Sequence, residues 1–199
     1  LNCMNSLLSL NYRDGVLYTQ PDDASNEVEG FLDDYAHTIN AIMHTLELSW
    51  NTEYLMIAIQ LASRMIDQFH DSQDGGFYFS SAAHYGLFHR GKNFFDDATP
   101  SGNSVAAKAL LRLGFLTGRL DFIDIAERIL KTANASMKSR LDATTSLNTL
   151  VMEYLQPIDV IILRGPRKDL ELWQTQTRKL LKRRAICYAI PGNELDLPE

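Results

Sequence analysis

The chain has only two cysteines in 199 residues, Cys3 and Cys187, and they lie far apart in the sequence. So few thiols, so widely spaced, exclude a disulfide framework, a CxxC redox pair and a zinc cluster. A reducing compartment suits this usage, so we expect a cytoplasmic protein. No apolar run approaches the roughly 20 residues that span a bilayer, and the first residues lack the pattern of a secretory signal. We therefore expect no membrane association.

The chain also lacks the short motifs that mark common enzyme classes. HExxH, Walker, GxSxG and GxGxxG patterns are all missing, which leaves metalloproteases, nucleotide hydrolases and serine hydrolases without motif support. We expect no metal and no cofactor. The net charge of -6 gives no general attraction to nucleic acid or to anionic lipid. The one basic run, at residues 178–179 and 182–184, lies at a predicted helix end, where it complements the helix dipole.

What the sequence does have is a duplicated plan, repeated 68 residues apart. Each copy opens on an acidic and polar segment, residues 30–36 in the first and 96–104 in the second. An apolar helix, a short polar break and a second helix follow. The apolar positions of the second helices superpose at the same offset: Tyr54 on Phe122, Leu55 on Ile123, Ala58 on Ala126 and Leu61 on Ile129. A repeated hairpin of helices indicates a mainly α fold, and we predict an incomplete (α/α) toroid over residues 1–156.

Hydrophobic periodicity sets the predicted elements. A period of 3.6 residues predicts helices over 31–48, from Asn51 or Thr52 to 69, over 100–117 with Pro100 in the first turn, over 120–138 and over 144–154. Beyond Pro157 the pattern changes to two apolar runs, 160–163 and 185–190, on either side of an amphipathic stretch. This pattern predicts a small β-α-β appendage with parallel strands over 157–192, followed by a tail at 193–199. Polar loops are expected over 20–30 and 84–99.

The candidate site lies where the helix starts of the two copies would converge. In a ring of hairpins, the inner helices point one set of ends at a shared funnel. Paired carboxylates there suit acid–base chemistry on sugars, and a histidine suits proton abstraction beside a carbonyl. The acid–base candidates are Asp33, Asp34, Asp96, Asp97 and His37, with His89 as a second histidine. The candidates for holding substrate hydroxyls are Tyr35, Ser101, Asn103 and Ser104.

Each of these residues also has a structural interpretation. Asp33 and Asp34 fall in a first helical turn, where a carboxylate is favoured by the dipole and by unpaired N–H groups. The polar residues at 96–97 and 101–104 are typical of turns and caps. His37 lies on an otherwise apolar stripe, where a histidine with internal hydrogen bonds is common. Both interpretations stay open at this point.

Four segments, taken in order, resemble one known family. They are Gly30-Phe31-Leu32-Asp33-Asp34-Tyr35-Ala36, the Asp-Gly-Gly-Phe of 74–77, the segment 95–106 with its Thr-Pro-Ser-Gly-Asn-Ser, and Leu-Leu-Arg-Leu at 110–113 before Thr-Gly at 117–118. The family is the thioredoxin-domain-containing proteins of the spermatogenesis-associated type, also catalogued as a domain of unknown function. The resemblance covers roughly residues 12–190, and its most specific piece is Thr-Pro-Ser-Gly-Asn-Ser.

The resemblance implies a longer parent protein. Such a parent has an N-terminal thioredoxin-like domain, followed by an (α/α)6 toroid similar to six-hairpin glycosidases and N-acylglucosamine 2-epimerases. Only the last part of that toroid would be present here. A sugar ligand is therefore expected, with isomerase, epimerase or glycosidase-like chemistry. The alternative is a non-catalytic scaffold that supports the redox domain or docks a partner. Hairpins without their ring neighbours would expose apolar faces, so we expect self-association.

Overall fold

The computed structural model describes residues 1–19, 28–83, 89–180 and 185–194. Parts of four sequence predictions lie outside these residues. They are most of the loop 20–30, the start of the loop 84–99, the basic residues 182–184 and the end of the tail.

The described residues contain seven α-helices and four short strands. In chain order they are α1 (Asn2–Asn11), β1 (Tyr12–Arg13), β2 (Val16–Leu17), α2 (Leu32–Leu48), α3 (Thr52–Phe69), α4 (Gly102–Thr117), α5 (Leu120–Ser139), a 3-10 turn (Leu141–Ala143), α6 (Thr145–Leu155), β3 (Asp159–Gly165), α7 (Arg167–Leu180) and β4 (Ala185–Pro191). The mainly α prediction is confirmed. The five helix predictions from hydrophobic periodicity agree with α2 to α6 to within about two residues at each end, the usual uncertainty of helix boundaries.

Helix caps explain where the predicted boundaries hold and where one fails. Asn51 caps α3, and its side chain accepts a hydrogen bond from the Glu53 backbone N–H at 2.9 Å. The predicted position of Pro100 in the first turn of α4 is wrong. Ser101 is the cap and α4 begins at Gly102, so Pro100 lies just before the cap.

Helix α4 lies at the centre of the fold. It packs against α2, α5 and α6, while α3 packs mainly against α2. Buried residues therefore occupy nearly the whole circumference of α4, including Asn103, Ala107 and Leu111. This is the neighbour order that a ring of helical hairpins requires. The described residues close no ring, so the toroid stays a prediction.

The predicted parallel β-α-β unit is confirmed and packs against one end of α2. β3 pairs with β4 in parallel over seven residue pairs, from Asp159 opposite Ala185 to Gly165 opposite Pro191. Gln174 of α7 donates to the carbonyl oxygens of Glu47 at 2.8 Å and Cys187 at 3.1 Å. These bonds link the unit to the end of α2 that is remote from the candidate site. The division of the chain near residue 157 stays a prediction.

Several large apolar side chains of the described residues are exposed. Met152 and Leu155 of α6 are each 70% exposed, and Leu120 at the start of α5 is also 70% exposed. Exposed apolar positions are what the self-association hypothesis requires, and that hypothesis stays a prediction. Among the described helices, none combines the length and the apolar character that a membrane crossing demands.

Candidate functional site

The N-termini of α2, α4 and α6 meet in one place. The Asp33 carboxylate lies against the α-carbon of Gly102, at the first residue of α4. The Ser146 hydroxyl of α6 lies 2.8 Å from the Ser104 hydroxyl of α4, within hydrogen-bond distance. The acidic segments that open the two copies of the repeat are thus brought together, and the start of α6 joins them.

A cavity of about 240 Å³ opens at this junction, and we call it the Asp33 cavity. Its polar lining includes Asp33, Asp97, Asn93 and Ser101, and its apolar lining includes Phe79 and Phe95. Apolar walls with a few convergent polar groups are typical of small-molecule sites. The Phe79 ring is held by stacking on Phe31, with centroids 4.9 Å apart and planes within 9° of parallel.

Asp33 is a half-buried candidate acid whose carboxylate the described residues leave unengaged. None of them makes a hydrogen bond to it. Burial raises the pKa of Asp33, because the charged form loses contact with water. Two neighbours have smaller effects: His37, one turn further along α2, lowers the pKa of Asp33, and the negative charge of Asp34 raises it. The neutral form is therefore less disfavoured here than in a solvated carboxyl, and a neutral carboxyl can donate a proton to a ligand oxygen.

Asp34, the next residue, has a structural task. Its Oδ2 accepts a hydrogen bond from the Phe31 backbone N–H at 2.8 Å. This bond satisfies one of the backbone donors that precede the first complete turn of α2. The structural interpretation of Asp34 therefore has direct support, and this carboxylate is not aimed into the cavity.

Asp96 ties the start of α4 to the start of α6. Its Oδ1 accepts from the Ser101 N–H at 3.0 Å, and its Oδ2 accepts from the Ser146 N–H at 2.9 Å and the Thr145 hydroxyl at 3.1 Å. Burial alone would raise the pKa of Asp96, but these bonds, together with one from the Ser146 hydroxyl, outweigh it and lower the pKa. Asp96 thus stays ionised as a shared cap for two helices.

Asp97 lies at the rim of the Asp33 cavity. It is exposed, and it also borders a second, shallower cavity with Asp96 and Ser146. Its backbone N–H donates to the Thr99 carbonyl at 3.0 Å, which shapes the turn but leaves the side chain in solvent. The structure therefore offers one desolvated carboxyl, Asp33, and one solvated carboxylate, Asp97, lining the same cavity.

The predicted hydroxyl-holding residues are mostly engaged inside the protein. Tyr35 is fully buried, and its hydroxyl donates to Glu29 at 3.1 Å and accepts from the Leu17 N–H at 3.1 Å. Asn103 is 1% exposed, and its amide accepts from the Phe77 N–H at 2.7 Å and donates to the Phe77 and Asn93 carbonyls. Asn103 therefore lines the Asp33 cavity, but its amide is already engaged by the backbone of Phe77 and Asn93. Tyr35 does not line this cavity.

The two predicted serines form the cap of α4. The Ser101 hydroxyl accepts from the Ser104 N–H at 3.3 Å, and the Ser104 hydroxyl donates to the Ser101 carbonyl at 2.7 Å. Ser101 borders the Asp33 cavity, whereas Ser104 lines a different cavity. The cap interpretation of both residues has direct support.

His37 lines that different cavity, a cleft of about 290 Å³ that we call the α2–α6 groove. The groove runs between α2 and α6 across α4, and its polar lining consists of His37, Asn40, Ser104, Lys108, Ser146, Thr149 and Glu153. His37 is partly exposed there, so it is not enclosed in the core. His89 is exposed and borders neither cavity.

Sequence reasoning missed Gly102, Asn40, Lys108 and Glu153. Gly102 lies inside the Thr-Pro-Ser-Gly-Asn-Ser segment and admits the Asp33 side chain because it has no Cβ. Asn40 and Lys108 are equivalent positions in the two copies of the repeat, so a comparison of their polar positions, and not only of the apolar ones, would have found them. Within the described residues, no group of three or more His, Cys, Asp or Glu side chains is placed to hold a metal ion.

Comparison with known proteins gives one set of relatives. The chain is 33% identical over 140 residues to spermatogenesis-associated protein 20 of Homo sapiens, a match that covers 70% of this chain and 18% of that protein. The rat protein of the same name is 39% identical over 138 residues, or 68% of this chain and 17% of the relative. No protein-family model matches the chain. The matches support the resemblance carried by the motifs, and the chain spans less than a fifth of the length of these relatives.

Proposed function

We propose that this chain is a segment of a protein of the spermatogenesis-associated type, and that the Asp33 cavity binds a carbohydrate. The two carboxyl groups that line the cavity carry the proposal. Asp33 is desolvated and accepts no hydrogen bond from the described residues, whereas Asp97 is exposed in solvent. Two carboxyl groups in contrasting environments are the arrangement that acid–base chemistry on sugars uses.

In this proposal Asp33 is the proton donor and Asp97 the acceptor. Protonated Asp33 would donate to a glycosidic or ring oxygen, and Asp97 would take a proton from water or from a sugar hydroxyl. Asp34 and Asp96 would hold the helix starts in place, since their oxygens already bind backbone N–H groups. Either hydrolysis or isomerisation of a sugar is compatible with these roles.

A ligand screen with paired variants tests the proposal. The full-length protein would be titrated with glucose, galactose, mannose, N-acetylglucosamine and their common disaccharides, with binding measured by calorimetry and by thermal shift. We expect at least one sugar to bind, and we expect Asp33→Asn and Asp97→Asn to weaken binding by about tenfold or more, as loss of charge-assisted hydrogen bonds does. Binding that is unchanged in both variants would rule out the site.

A second candidate function, a non-catalytic scaffold, is favoured by the internal engagement of the other polar residues. Five of the candidate residues already cap a helix or bind the backbone inside the protein: Asp34, Asp96, Ser101, Asn103 and Ser104. A scaffold needs no more than this. It predicts that variants at these positions change stability, that no sugar binds, and that partner binding survives Asp33→Asn.

Three further expectations stay proposals. Redox chemistry would come from a thioredoxin-like domain elsewhere in the parent. The two cysteines of this chain form no disulfide; Cys3 is exposed and Cys187 is buried. The same free thiols suit a cytoplasmic location. Proton abstraction by His37 would act from the α2–α6 groove.

A further inference from the structure

The α2–α6 groove has the composition of a binding surface. Polar residues of three helices face it: His37 and Asn40 from α2, Lys108 from α4, and Thr149 and Glu153 from α6. All three helices already bury apolar side chains in a common core, so packing alone does not require a polar cleft between them. The groove is therefore a candidate for recognition of a polar ligand.

Asn40 supplies the observation that points to a ligand. The buried Oδ1 atom of its amide has no hydrogen-bond partner among the described residues. Buried acceptors are almost always paired, and those that are not call for a bound group or a water. A hydroxyl group of a sugar is a donor of suitable size for this acceptor.

The groove and the Asp33 cavity are neighbours. Pro100 lines both of them. Asp33 and His37 are one turn apart on α2, so the same helix presents one residue to each cavity. Volumes of about 240 Å³ and about 290 Å³ each fall below the range of roughly 300–1,000 Å³ that is usual for small-molecule sites, whereas the two together fall within it.

We infer that the α2–α6 groove is a second sugar subsite, so that the ligand is a disaccharide or a longer oligosaccharide whose adjoining unit donates a hydroxyl hydrogen bond to Asn40. This inference rests on the proposed sugar function of the Asp33 cavity. One sugar unit would lie against Asp33 and Asp97, and the linkage would pass Pro100. The next unit would lie among Asn40, Lys108 and Thr149.

The test compares monosaccharide and disaccharide binding in variants of Asn40. Asn40→Leu removes the acceptor at similar volume, and Asn40→Asp keeps an acceptor oxygen. Affinities of the full-length protein for glucose and N-acetylglucosamine, and for maltose, cellobiose and chitobiose, would be measured by calorimetry. We expect Asn40→Leu to weaken disaccharide binding by about tenfold, to leave monosaccharide binding within about twofold, and to leave the melting temperature unchanged or raised, whereas Asn40→Asp retains most of the disaccharide affinity.

The outcomes separate the two proposals. If monosaccharides bind and no disaccharide binds more tightly, or if Asn40→Leu leaves disaccharide affinity unchanged, the groove holds only solvent and the inference is overturned while the Asp33 site survives. If no sugar of either size binds, the proposed function itself fails. A large loss of stability in Asn40→Leu would show that Asn40 has a partner inside the protein and would also overturn the inference.

Discussion

The Asp33 carboxylate packs directly against the α-carbon of Gly102, where a Cβ would overlap its Oδ1 atom. This contact places the first turn of α2 against the first residue of α4. It also holds the candidate acid at the mouth of the cavity. The position of Asp33 therefore depends on a hydrogen atom in place of a side chain at residue 102.

Gly102→Ala should weaken sugar binding without unfolding the protein. The added methyl group would push the carboxylate aside, and because that carboxylate is the end of a side chain it can move without disturbing the helices. We expect a melting temperature close to that of the wild type and sugar affinity reduced by about tenfold, similar to the effect of losing a directed hydrogen bond. Calorimetry and thermal unfolding on the same samples would measure both.

Gly91→Ala is the matched control for this substitution. No atom lies within 4 Å of a Cβ built at Gly91, so the methyl group meets open space. Both binding and stability should stay at wild-type values. Equal sugar affinities in the two alanine variants and the wild type would contradict the placement of Asp33 in the site.

Asp33→Asn should make the protein relatively more stable as the pH rises. Because burial raises the pKa of folded Asp33 above its unfolded value, the ionised form opposes folding. The cost of burying the ionised carboxylate is zero below the unfolded pKa of about 4 and is fully present above the folded pKa. The free energy of unfolding of the variant, relative to the wild type, should therefore increase between these two pKa values, measured by urea denaturation at a series of pH values. A flat difference across this window would show that Asp33 is not desolvated.

The helices were predictable from the sequence, because each carries an apolar stripe of 3.6-residue period that requires only local information. The different tasks of Asp33 and Asp34 were not. Neighbouring residues in a helix are rotated by about 100° from each other, so one carboxylate turns back to the backbone of its own cap and the other turns outward. Which of the two meets α4 depends on how the helices pack, and the sequence does not show this.

Tertiary partners also explain what was missed about Asn103. The sequence indicates a polar residue beside a cap, and either a ligand contact or a turn is compatible with that. The structure shows that its amide binds the backbone of Phe77, 26 residues earlier in the chain. Such a long-range partner leaves no local signature. The motif that contains Asn103 lies where the starts of α2, α4 and α6 meet, while the amide itself serves the fold.

Asp96→Asn should show the opposite pH dependence to Asp33→Asn. The folded pKa of Asp96 lies below its usual value, so its ionised form stabilises the fold above the unfolded pKa, and this contribution is lost as the pH falls through the folded pKa. An amide would turn an N–H group toward donors at Thr145 or Ser146. We expect a loss of about 1–2 kcal/mol at neutral pH, in the range for helix caps, that fades below about pH 4. A loss that persists unchanged in acid would contradict the cap role.

The buried ion pair between Arg112 and Glu153 gives a further prediction about the link between α4 and α6. The guanidinium donates to both carboxylate oxygens, at 2.8 Å and 3.1 Å, and the side chains are only 7% and 5% exposed. Removing one partner leaves a buried charge without its counterion, so Glu153→Gln should cost about 3–5 kcal/mol in the free energy of unfolding. The paired replacement Arg112→Met with Glu153→Leu should recover most of this loss.

The control for this pair is an ion pair on the surface. Arg140 and Asp142 lie 3.1 Å apart with side chains 61% and 73% exposed, and in such positions solvent screens the attraction. Asp142→Asn should therefore leave the free energy of unfolding close to that of the wild type. If denaturant unfolding gave similar losses for Glu153→Gln and Asp142→Asn, burial would not distinguish the two pairs, and α6 would not be held to α4 by Arg112. Because Glu153 also lines the α2–α6 groove, a large loss confined to Glu153→Gln would show that one wall of the groove is held by this ion pair.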